Sequence, residues 1–336
     1  MSLPGDPQVS SGHLGQESDR YDDVLDETPR LKISILMCAF NEERTIARAI
    51  REVLSVEYPC DIELIVVDDG SRDSTAKLVE EFADPRVILH KHEKNKGKGA
   101  ALRTAVAFAS GTHILPFDAD LEYTPKDIPR LVEPILTGRF DVVYGTRLFG
   151  YNTVYQSFRY AVGNKVLTTL TNILFDSFLS DLHTCLKLMP LDLFRSLDLR
   201  EKGFGLDTEL TAILLRLGIR PFEVPVSYYS RSHAQGKKIN AGDAVDCLHI
   251  LLRVRTRRKS RLTKPVGETD PAVDRDAAGP KPELEASAGL AAGMAAEAGM
   301  AAESAQAVDA AEPEPEPEPE HEHEPVPVLN GLASRV

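Results

Sequence analysis

The sequence predicts an α/β fold with a mostly parallel central sheet and helices on both faces. Residues 32–39 and 62–67 are nearly continuous apolar runs, and each is followed by polar residues and a helix-patterned stretch. Residues 113–116 form a third, shorter run of the same kind. Apolar strands separated by helical segments are typical of parallel sheets that are buried on both faces.

Helical segments are predicted directly after these strands. The first opens at residues 41–43 and runs to Leu54, and the second runs to Phe82, with Ser74 placed to cap its start. The elements that follow alternate in the same way: strand 87–90, helix 100–109 and strand 141–144.

Pairs of aspartates follow two of the predicted strands, Asp68 with Asp69 and Asp118 with Asp120. Because ligands of open α/β sheets bind beyond the carboxyl ends of the strands, we expect the four carboxylates along one edge. Asp118 and Asp120 are expected to hold Mg²⁺ or Mn²⁺, which take oxygen ligands and leave room for substrate phosphates. Asp-X-Asp is also common in solvated turns, and the pair by itself leaves that alternative open.

Two further features lie beside strand ends. The turn Gly97-Lys98-Gly99 precedes a helix, and its glycines would let the backbone approach a ligand closely; the alternative is a flexible surface connection. It has neither the GxxxxGK[ST] nor the GxGxxG spacing. Arg147 follows strand 141–144, where a guanidinium can bind a phosphate through two nitrogens.

The ordered set of motifs resembles the family 2 glycosyltransferases, and more narrowly their dolichyl-phosphate (polyprenyl-phosphate) mannosyltransferase branch. The resemblance covers roughly residues 31–245. It rests on segments that occur in family order: Cys38-Ala39-Phe40-Asn41-Glu42, Val67-Asp68-Asp69-Gly70-Ser71, Gly97-Lys98-Gly99, Asp118-Ala119-Asp120, Gly145-Thr146-Arg147, residues 180–187, residues 203–209, and residues 224–238.

The resemblance implies a glycosyltransferase A-type nucleotide-binding fold with the donor across the strand ends. Glu42 and Asp69 would contact the nucleoside, and Asp68 would support the same pocket. Glu42 has the alternative role of favouring a helix N-terminus, and Asp68 that of capping the following turn. The positions that the resemblance assigns to the donor side, including the metal pair, are Glu42, Asp68, Asp69, Lys98, Asp118 and Asp120.

An acceptor phosphate would change what the site must supply. Its second pKa of about 6 leaves it largely dianionic at neutral pH, so it needs cations rather than a base. The resemblance assigns Arg147, Arg231 and Lys238, with Lys237 as a substitute, to the acceptor phosphate and donor diphosphate. Asp181 is a candidate for contacting the sugar or acting as a base.

Glu209, on a helix-like stretch, is a weaker candidate for the same two roles as Asp181. Two segments are candidates for contact with a lipid. One is an apolar stripe of a helical pair, which is either membrane-facing or core-facing: Val154, Phe158, Val162, Val166, Leu170, Leu174 and Phe178. The other is a run of cations with no acidic residue among them: Arg253, Arg255, Arg257, Arg258, Lys259, Arg261 and Lys264.

Composition divides the chain into a polar, acidic, disordered leader (1–30), a catalytic domain (31–245), a basic amphipathic membrane-proximal segment (246–264) and a disordered Ala/Pro/Glu tail (265–336). The tail holds 16 of the 52 acidic residues and 3 of the 39 basic ones, so the rest balances at 36 against 36. Four dispersed cysteines predict reduced thiols. No apolar run reaches the length of a membrane span, and no feature beyond the basic run indicates nucleic-acid binding.

The sequence therefore predicts an inverting, metal-dependent transferase that moves a hexose from a nucleotide sugar to polyprenyl phosphate at the cytosolic membrane face. GDP-mannose is the first choice of donor and UDP-glucose the second. Membrane contact would be peripheral or would use a separate anchoring protein. Alternatives are a cell-wall glycan or soluble hydroxyl acceptor, with a carboxylate such as Asp181 as base, and a non-catalytic sugar-nucleotide-binding recruitment module.

Overall fold

The computed structural model describes residues 30–148, 153–155, 157–230 and 241–264. The acidic tail, the leader up to residue 29 and the three predicted cations Arg231, Lys237 and Lys238 lie outside these ranges. The predictions made for them therefore stay predictions.

The described strands form one large sheet and one small one. Their bounds are β1 Lys32–Ala39, β2 Asp61–Asp68, β3 Val87–Lys91, β4 His113–Pro116, β5 Val143–Thr146, β6 Thr153–Val154, β7 Lys187–Pro190, β8 Phe222–Pro225 and β9 Tyr228–Tyr229. The large sheet has the order β3-β2-β1-β4-β7-β5-β8, and β6 pairs with β9. Only β7 runs antiparallel to its neighbours in the large sheet, which confirms the predicted mostly parallel architecture.

Helices connect these strands in the predicted alternation. Their bounds are α1 Ile46–Leu54, α2 Thr75–Glu80, α3 Lys98–Phe108, α4 Ile128–Leu136, α5 Phe158–Phe175, α6 Leu191–Ser196, α7 Gly205–Leu217 and α8 Ala241–Thr256. Short 3₁₀ turns occur at Pro125–Asp127 and Lys259–Arg261.

Two apolar cores flank the large sheet because its strands alternate their side chains between the faces. Ile35 and Met37 of β1 pack in the core that contains Ile50 of α1. Leu36, between them, packs in the core that contains Ala101 and Ala105 of α3. Both faces are thus covered by helices, as the continuous apolar runs predicted.

Ser74 occupies the N-cap position of α2, but the prediction that its side chain caps the helix is wrong. Ser74 makes no side-chain capping bond. Instead, Asp73 Oδ1 accepts hydrogen bonds from the backbone N–H (3.0 Å) and hydroxyl (2.5 Å) of Thr75. A carboxylate in this position satisfies a donor that the first turn of a helix leaves unpaired.

Residues 246–264 pack against the same unit as the residues before them. Ile250, Leu251 and Val254 of α8 are buried in the core on the α3 side of the sheet, together with Leu262. Thr263 forms an antiparallel bridge with Leu197. One apolar side of this basic segment is therefore packed in the protein's own core, while Val245, Leu248 and Leu252 are exposed.

Candidate active site

The four aspartates lie at the carboxyl edge of the sheet, as predicted from the strand ends. In the parallel pairing of β1 with β2, Asp68 is opposite Ala39, the last residue of β1. Pro116, the last residue of β4, pairs with Leu36 on the other side of β1. Asp118 and Asp120 follow directly, so both carboxylate pairs emerge from the same edge.

Asp69 organises the loop that leads into α3. Its Oδ1 accepts hydrogen bonds from the backbone N–H of Lys96 (2.9 Å) and from His92 Nδ1 (2.6 Å), while Oδ2 accepts from Gly97 N–H (2.8 Å). The side chains of Asp69 and His92 are almost completely buried. Asp69 therefore holds the 92–97 loop in place; its predicted contact with the nucleoside stays a prediction.

The glycines of the turn let the backbone pack closely. The sequence predicts that this close approach is to a ligand. Gly97 has φ +94°, and a Cβ there would lie 2.5 Å from the carbonyl oxygen of Lys202. A Cβ on Gly99 would lie 2.7 Å from the carbonyl oxygen of Glu201. The close approach is thus to the chain's own 201–202 backbone. The alternative of a flexible surface connection is wrong, because both sides of the turn are anchored, and the predicted approach to a ligand stays a prediction.

Asp68 and Glu42 make the local contacts that were their alternative roles. Asp68 is buried, and its Oδ1 accepts a hydrogen bond from the backbone N–H of Ser71 at 3.2 Å, which closes the turn after β2. The Glu42 carbonyl accepts from Ile46 N at 2.9 Å, which begins α1, and its carboxylate accepts from the Thr45 hydroxyl at 2.9 Å. These contacts order the turn after β2 and the start of α1.

Asp118 is paired with Lys98, the first residue of α3. Lys98 Nζ lies 2.8 Å from Oδ1 and 2.9 Å from Oδ2 of Asp118. Burial alone would lower the pKa of Lys98, but the Asp118 charge raises it well above its usual value, so the lysine is a cation. Asp120 Oδ1 accepts a hydrogen bond from Glu122 N–H at 3.0 Å.

The donor set at this edge fits a divalent ion only if the substrate supplies further ligands. Asp118 and Asp120 offer carboxylate oxygens, the ligands that Mg²⁺ and Mn²⁺ prefer. Within the described residues, no group of three or more His, Cys, Asp or Glu side chains could hold a metal alone. Magnesium is commonly bound by one or two carboxylates together with substrate phosphates, and this pair suits that arrangement.

Arg147 and Asp181 form a buried ion pair. Arg147 Nε lies 2.6 Å from Asp181 Oδ2, and Nη2 lies 2.7 Å from Oδ1. Asn164 donates to Oδ1 at 2.8 Å, and the Arg147 guanidinium carbon lies 4.9 Å from the ring centre of Tyr228. Burial alone would raise the pKa of Asp181, but attraction and hydrogen bonds from Arg147 and Asn164 lower it to about 2.

The ion pair changes how these two predicted residues are described. Two nitrogens of Arg147 bind the Asp181 carboxylate. The sequence predicts that they bind a phosphate. Asp181 is fully buried, and a carboxyl group with a pKa of about 2 accepts a proton poorly at neutral pH. The pair therefore positions the site edge, and direct contact with sugar or phosphate stays a prediction.

Glu209 holds two segments of the fold together. Both of its carboxylate oxygens are bound to groups of the protein, which leaves neither available as a base. It is fully buried, and its Oε2 accepts from the backbone N–H of Arg200 (2.7 Å) and Glu201 (2.8 Å). Oε1 accepts from Arg253 of α8 at 2.9 Å. The weaker catalytic assignment of Glu209 is thus replaced by a structural one.

Sequence reasoning missed the polar residues that support Asp181. Asn164 Oδ1 lies 2.8 Å from His183 Nδ1, and Thr208 Oγ1 lies 2.9 Å from His183 Nε2. Because the Asn164 amide donates to Asp181, its oxygen must accept, and His183 therefore carries its proton on Nδ1. Burial lowers the pKa of His183 to about 4, which keeps it neutral.

Lys187 was also missed, although its charge interrupts an apolar strand. Its ammonium is fully buried and lies 3.1 Å from Asp207 Oδ1 and 3.0 Å from the Asp207 carbonyl oxygen. A charge inside a buried strand requires a partner, and that requirement was the available signal. Asp207 is thereby held at the start of α7, near Lys98.

Helix α5 turns several polar side chains inward, beside the buried Leu167 and Phe175, and exposes apolar side chains elsewhere on its surface. Asn164 contacts Asp181, Thr168 Oγ1 accepts from Leu182 N–H at 3.1 Å, and Asn172 Oδ1 accepts from Leu179 N–H at 2.8 Å. Residues two positions before or after these polar residues point about 200° away from them around the helix axis, so they lie on the opposite side of the helix. The side chains of the predicted stripe that are exposed on this helix are Phe158, Val162 and Val166.

The stripe therefore faces solvent, and its core-facing alternative is wrong for these positions. Leu170 and Leu174 are half-buried, while Val154 belongs to β6 and Phe178 follows the end of the helix. The predicted helical pair is one helix. Ile173, outside the stripe, adds a further exposed apolar side chain.

Cations of the basic segment are bound within the protein. Arg253 pairs with Glu201 and Glu209, Arg255 Nε donates to the Leu174 carbonyl at 2.9 Å, and Arg257 pairs with Asp198. Arg258, Lys259 and Arg261 are exposed. No described helix combines the length and apolarity that crossing a bilayer requires.

The mostly parallel sheet with helices on both faces is the glycosyltransferase A-type fold. Solved structures with the same fold include glucosyl-3-phosphoglycerate synthase from Mycobacterium tuberculosis with Mn²⁺, UDP and phosphoglyceric acid. The TM-score is 0.53 and the identity 22%, over 69% of this chain and 80% of that one. Related crystals of that enzyme contain Mg²⁺ and UDP.

Residues 34–197 match the model of glycosyl transferase family 2, so this part of the chain is a domain of that family. Among its relatives is the UDP-N-acetylglucosamine–dolichyl-phosphate N-acetylglucosaminyltransferase of Methanococcus voltae, 28% identical over 66% of this chain and 96% of the relative. Glycosyltransferase AglD of Haloferax volcanii is 29% identical over 59% of this chain and 33% of the relative. These relatives agree with the predicted polyprenyl-phosphate branch.

Proposed function

We propose that the enzyme is an inverting, metal-dependent transferase that moves a hexose from a nucleotide sugar to a polyprenyl phosphate. The observation that carries this proposal is helix α5, which contacts Asp181 through Asn164 and exposes Phe158, Val162 and Val166 on its other side. A helix built this way can touch lipid while its polar side lines the site. The dolichyl-phosphate substrate in the name of the M. voltae relative supports the same acceptor class.

On the donor side, Asp118 and Asp120 would bind a Mg²⁺ or Mn²⁺ ion together with the diphosphate. The ion would neutralise charge that develops on the departing diphosphate. Lys98 would add a second positive group there, and Glu42, Asp68 and Asp69 would line the nucleoside pocket. GDP-mannose and UDP-glucose are the proposed donors, and the relative's name adds UDP-N-acetylglucosamine to those worth testing.

On the acceptor side, the phosphate itself is the nucleophile, so no protein base is required. The pKa of about 2 for Asp181 agrees with a site that works without one. We assign Arg147, Arg231 and Lys238 to the donor and acceptor phosphates, with Lys237 as a substitute for Lys238. Arg147 would act from its pair with Asp181.

Membrane contact would be peripheral and on the cytosolic face. The apolar side of α5 would enter the lipid surface, and Arg258, Lys259 and Arg261 would face anionic headgroups, where each cation contributes up to about 1 kcal/mol. A separate anchoring protein stays a prediction from the sequence.

The deciding experiment measures transfer of radiolabelled sugar from GDP-mannose, UDP-glucose and UDP-N-acetylglucosamine to a short polyprenyl phosphate, with Mn²⁺ or Mg²⁺. We expect labelled lipid with one donor, and none when the metal is chelated. Asp120→Ala should remove the activity. Asp192→Ala, which deletes a carboxylate from a side chain that is 98% exposed, should not.

The possible results separate the functions. Donor binding without labelled lipid, but with transfer to a glycan or a soluble hydroxyl compound, would replace the proposed acceptor. Nucleotide-sugar binding without transfer to any acceptor would favour a recruitment module.

A further inference from the structure

The Asp118 carboxylate already has a cation of the protein on both of its oxygens. Lys98 Nζ lies 2.8 Å from Oδ1 and 2.9 Å from Oδ2. A divalent ion would bind Asp118 through the same oxygens. The ammonium and the ion therefore compete for one carboxylate.

The contact is shielded from water, which makes the competition strong. The side chains of Lys98 and Asp118 are only 22% and 24% exposed. At such a site the attraction between opposite charges is several times stronger than in bulk water. An incoming ion must overcome this attraction unless the ammonium finds another anion.

Only the side chain of Lys98 is free to change partner, because its backbone is anchored on both sides. Asp69 accepts hydrogen bonds from the N–H groups of Lys96 and Gly97, and Ala100 N–H donates to the Lys202 carbonyl at 3.1 Å. A lysine ammonium is a compact charge on a flexible four-carbon stem. It can move from a carboxylate to a nearby phosphate without a change in the loop.

We propose that Lys98 keeps Asp118 closed to divalent ions until a nucleotide diphosphate binds. The diphosphate gives the ammonium an alternative anionic partner, and Asp118 then becomes available to a metal together with Asp120 and the phosphate oxygens. Lys98 is thus a positioning residue that makes metal binding depend on the donor. This inference rests on the proposed function only in taking Asp118 as a metal ligand beside a diphosphate.

The test measures how much Mn²⁺ the full chain retains on ultrafiltration, with and without UDP or GDP; free Mn²⁺ and the free metal–nucleotide complex pass the filter. We expect the wild type to retain Mn²⁺ at least about tenfold more tightly with the matching nucleotide. Without nucleotide, Lys98→Met should tighten Mn²⁺ binding by about tenfold, since it removes the competing charge. Lys98→Arg keeps that charge and should stay weak.

Lys94→Met is the matched control, because Lys94 is an exposed lysine of the same loop. It should bind Mn²⁺ as the wild type does. Asp120→Ala should weaken Mn²⁺ retention in every background, which places the signal at this edge. Thermal melts check that each variant is folded.

Two results would overturn the inference: equal retention of Mn²⁺ by the wild type with and without nucleotide, or no gain in Lys98→Met. If that variant does not fold, Lys98→Gln, which also removes the charge, takes its place. No acceptor is present, so a wrong acceptor in the proposed function leaves these results unchanged. If neither nucleotide is retained even with Mn²⁺, the donor assignment and this inference fail together.

Discussion

At the scale of the residue, the acidic side chains of the site differ in what holds them. Asp69 is bound by backbone N–H groups and a histidine, Asp118 by Lys98 and the Cys185 thiol, and Asp181 by an arginine and an amide. A buried carboxylate stays charged only when such partners replace water. Asp118, whose charged partner is on the flexible stem of a lysine, is the one of these three best suited to exchange that partner for a ligand.

The first prediction concerns Asp181. Asp181→Asn leaves the Arg147 charge without its partner, so we expect a loss of about 3–5 kcal/mol in the free energy of unfolding and a large loss of transfer rate. Urea denaturation and the transfer assay measure the two effects. Asp192→Asn, at a fully exposed position, should change neither.

The pH dependence of Asp181 has a definite sign. Its pKa is lowered from 3.8 to about 2, so its stabilising effect is complete above pH 4 and is lost only as the pH falls toward 2. Asp181 should therefore contribute no ionisation to the rate between pH 5 and 8. An acid limb in that range that disappears in Asp181→Asn would instead identify it as a base and favour a hydroxyl acceptor.

At the scale of the element, Glu63 joins β2 to its neighbours near the amino ends of the strands, at the opposite end of the sheet from the site. It accepts hydrogen bonds from Lys32 (2.8 Å), Ser34 (2.6 Å) and the Ser110 hydroxyl (2.6 Å). Burial alone would raise the pKa of Glu63, but these bonds lower it from 4.5 to about 2. One buried carboxylate thus links β1, β2 and the turn before β4.

From this link we predict a pH-dependent stability. The lowered pKa corresponds to about 3 kcal/mol, present above pH 4.5 and lost as the pH falls toward 2. Glu63→Gln should remove this part, so the wild type and the variant should converge in acid. Unfolding free energies from pH 3 to 7 test it, and a constant difference over that range would contradict it.

The outward apolar side of α5 gives a second prediction at this scale. Val166→Asp places a charge on the proposed lipid-facing surface and should reduce transfer to polyprenyl phosphate in vesicles by about tenfold or more, with nucleotide binding unchanged. Leu136→Asp, at the end of α4, is the matched control, because Leu136 is 50% exposed and Val166 is 52% exposed. Equal effects of the two variants would argue against a lipid contact through α5.

At the scale of the whole molecule, α8 ties the C-terminal side of the described chain into the core. Leu251 is fully buried, whereas Leu252 is 44% exposed. Leu251→Ala should cost about 2–5 kcal/mol of unfolding free energy, and Leu252→Ala much less. Denaturant unfolding of the two variants measures this difference. A small effect at Leu251 would mean that α8 is dispensable for the fold.

The alternation of strands and helices from β1 to β4, the parallel pairing of these strands and the shared edge of Asp68, Asp69, Asp118 and Asp120 were determined by the sequence alone. These features follow from local apolar periodicity and from the rule that parallel strands present their carboxyl ends together. The periodicity and the strand ends can both be identified from residues that are close together in the sequence. The family motifs lie on the same edge because they occupy those strand ends.

Partners of charged side chains were decided only by the tertiary structure. Arg147 and Asp181 are 34 residues apart in the chain, and Glu209 and Arg253 are 44 apart. The side that α5 turns inward was settled in the same way, because its stripe looks identical whether it meets core or solvent. Periodicity reports what a segment can bury, and only the assembled fold determines what lies against it.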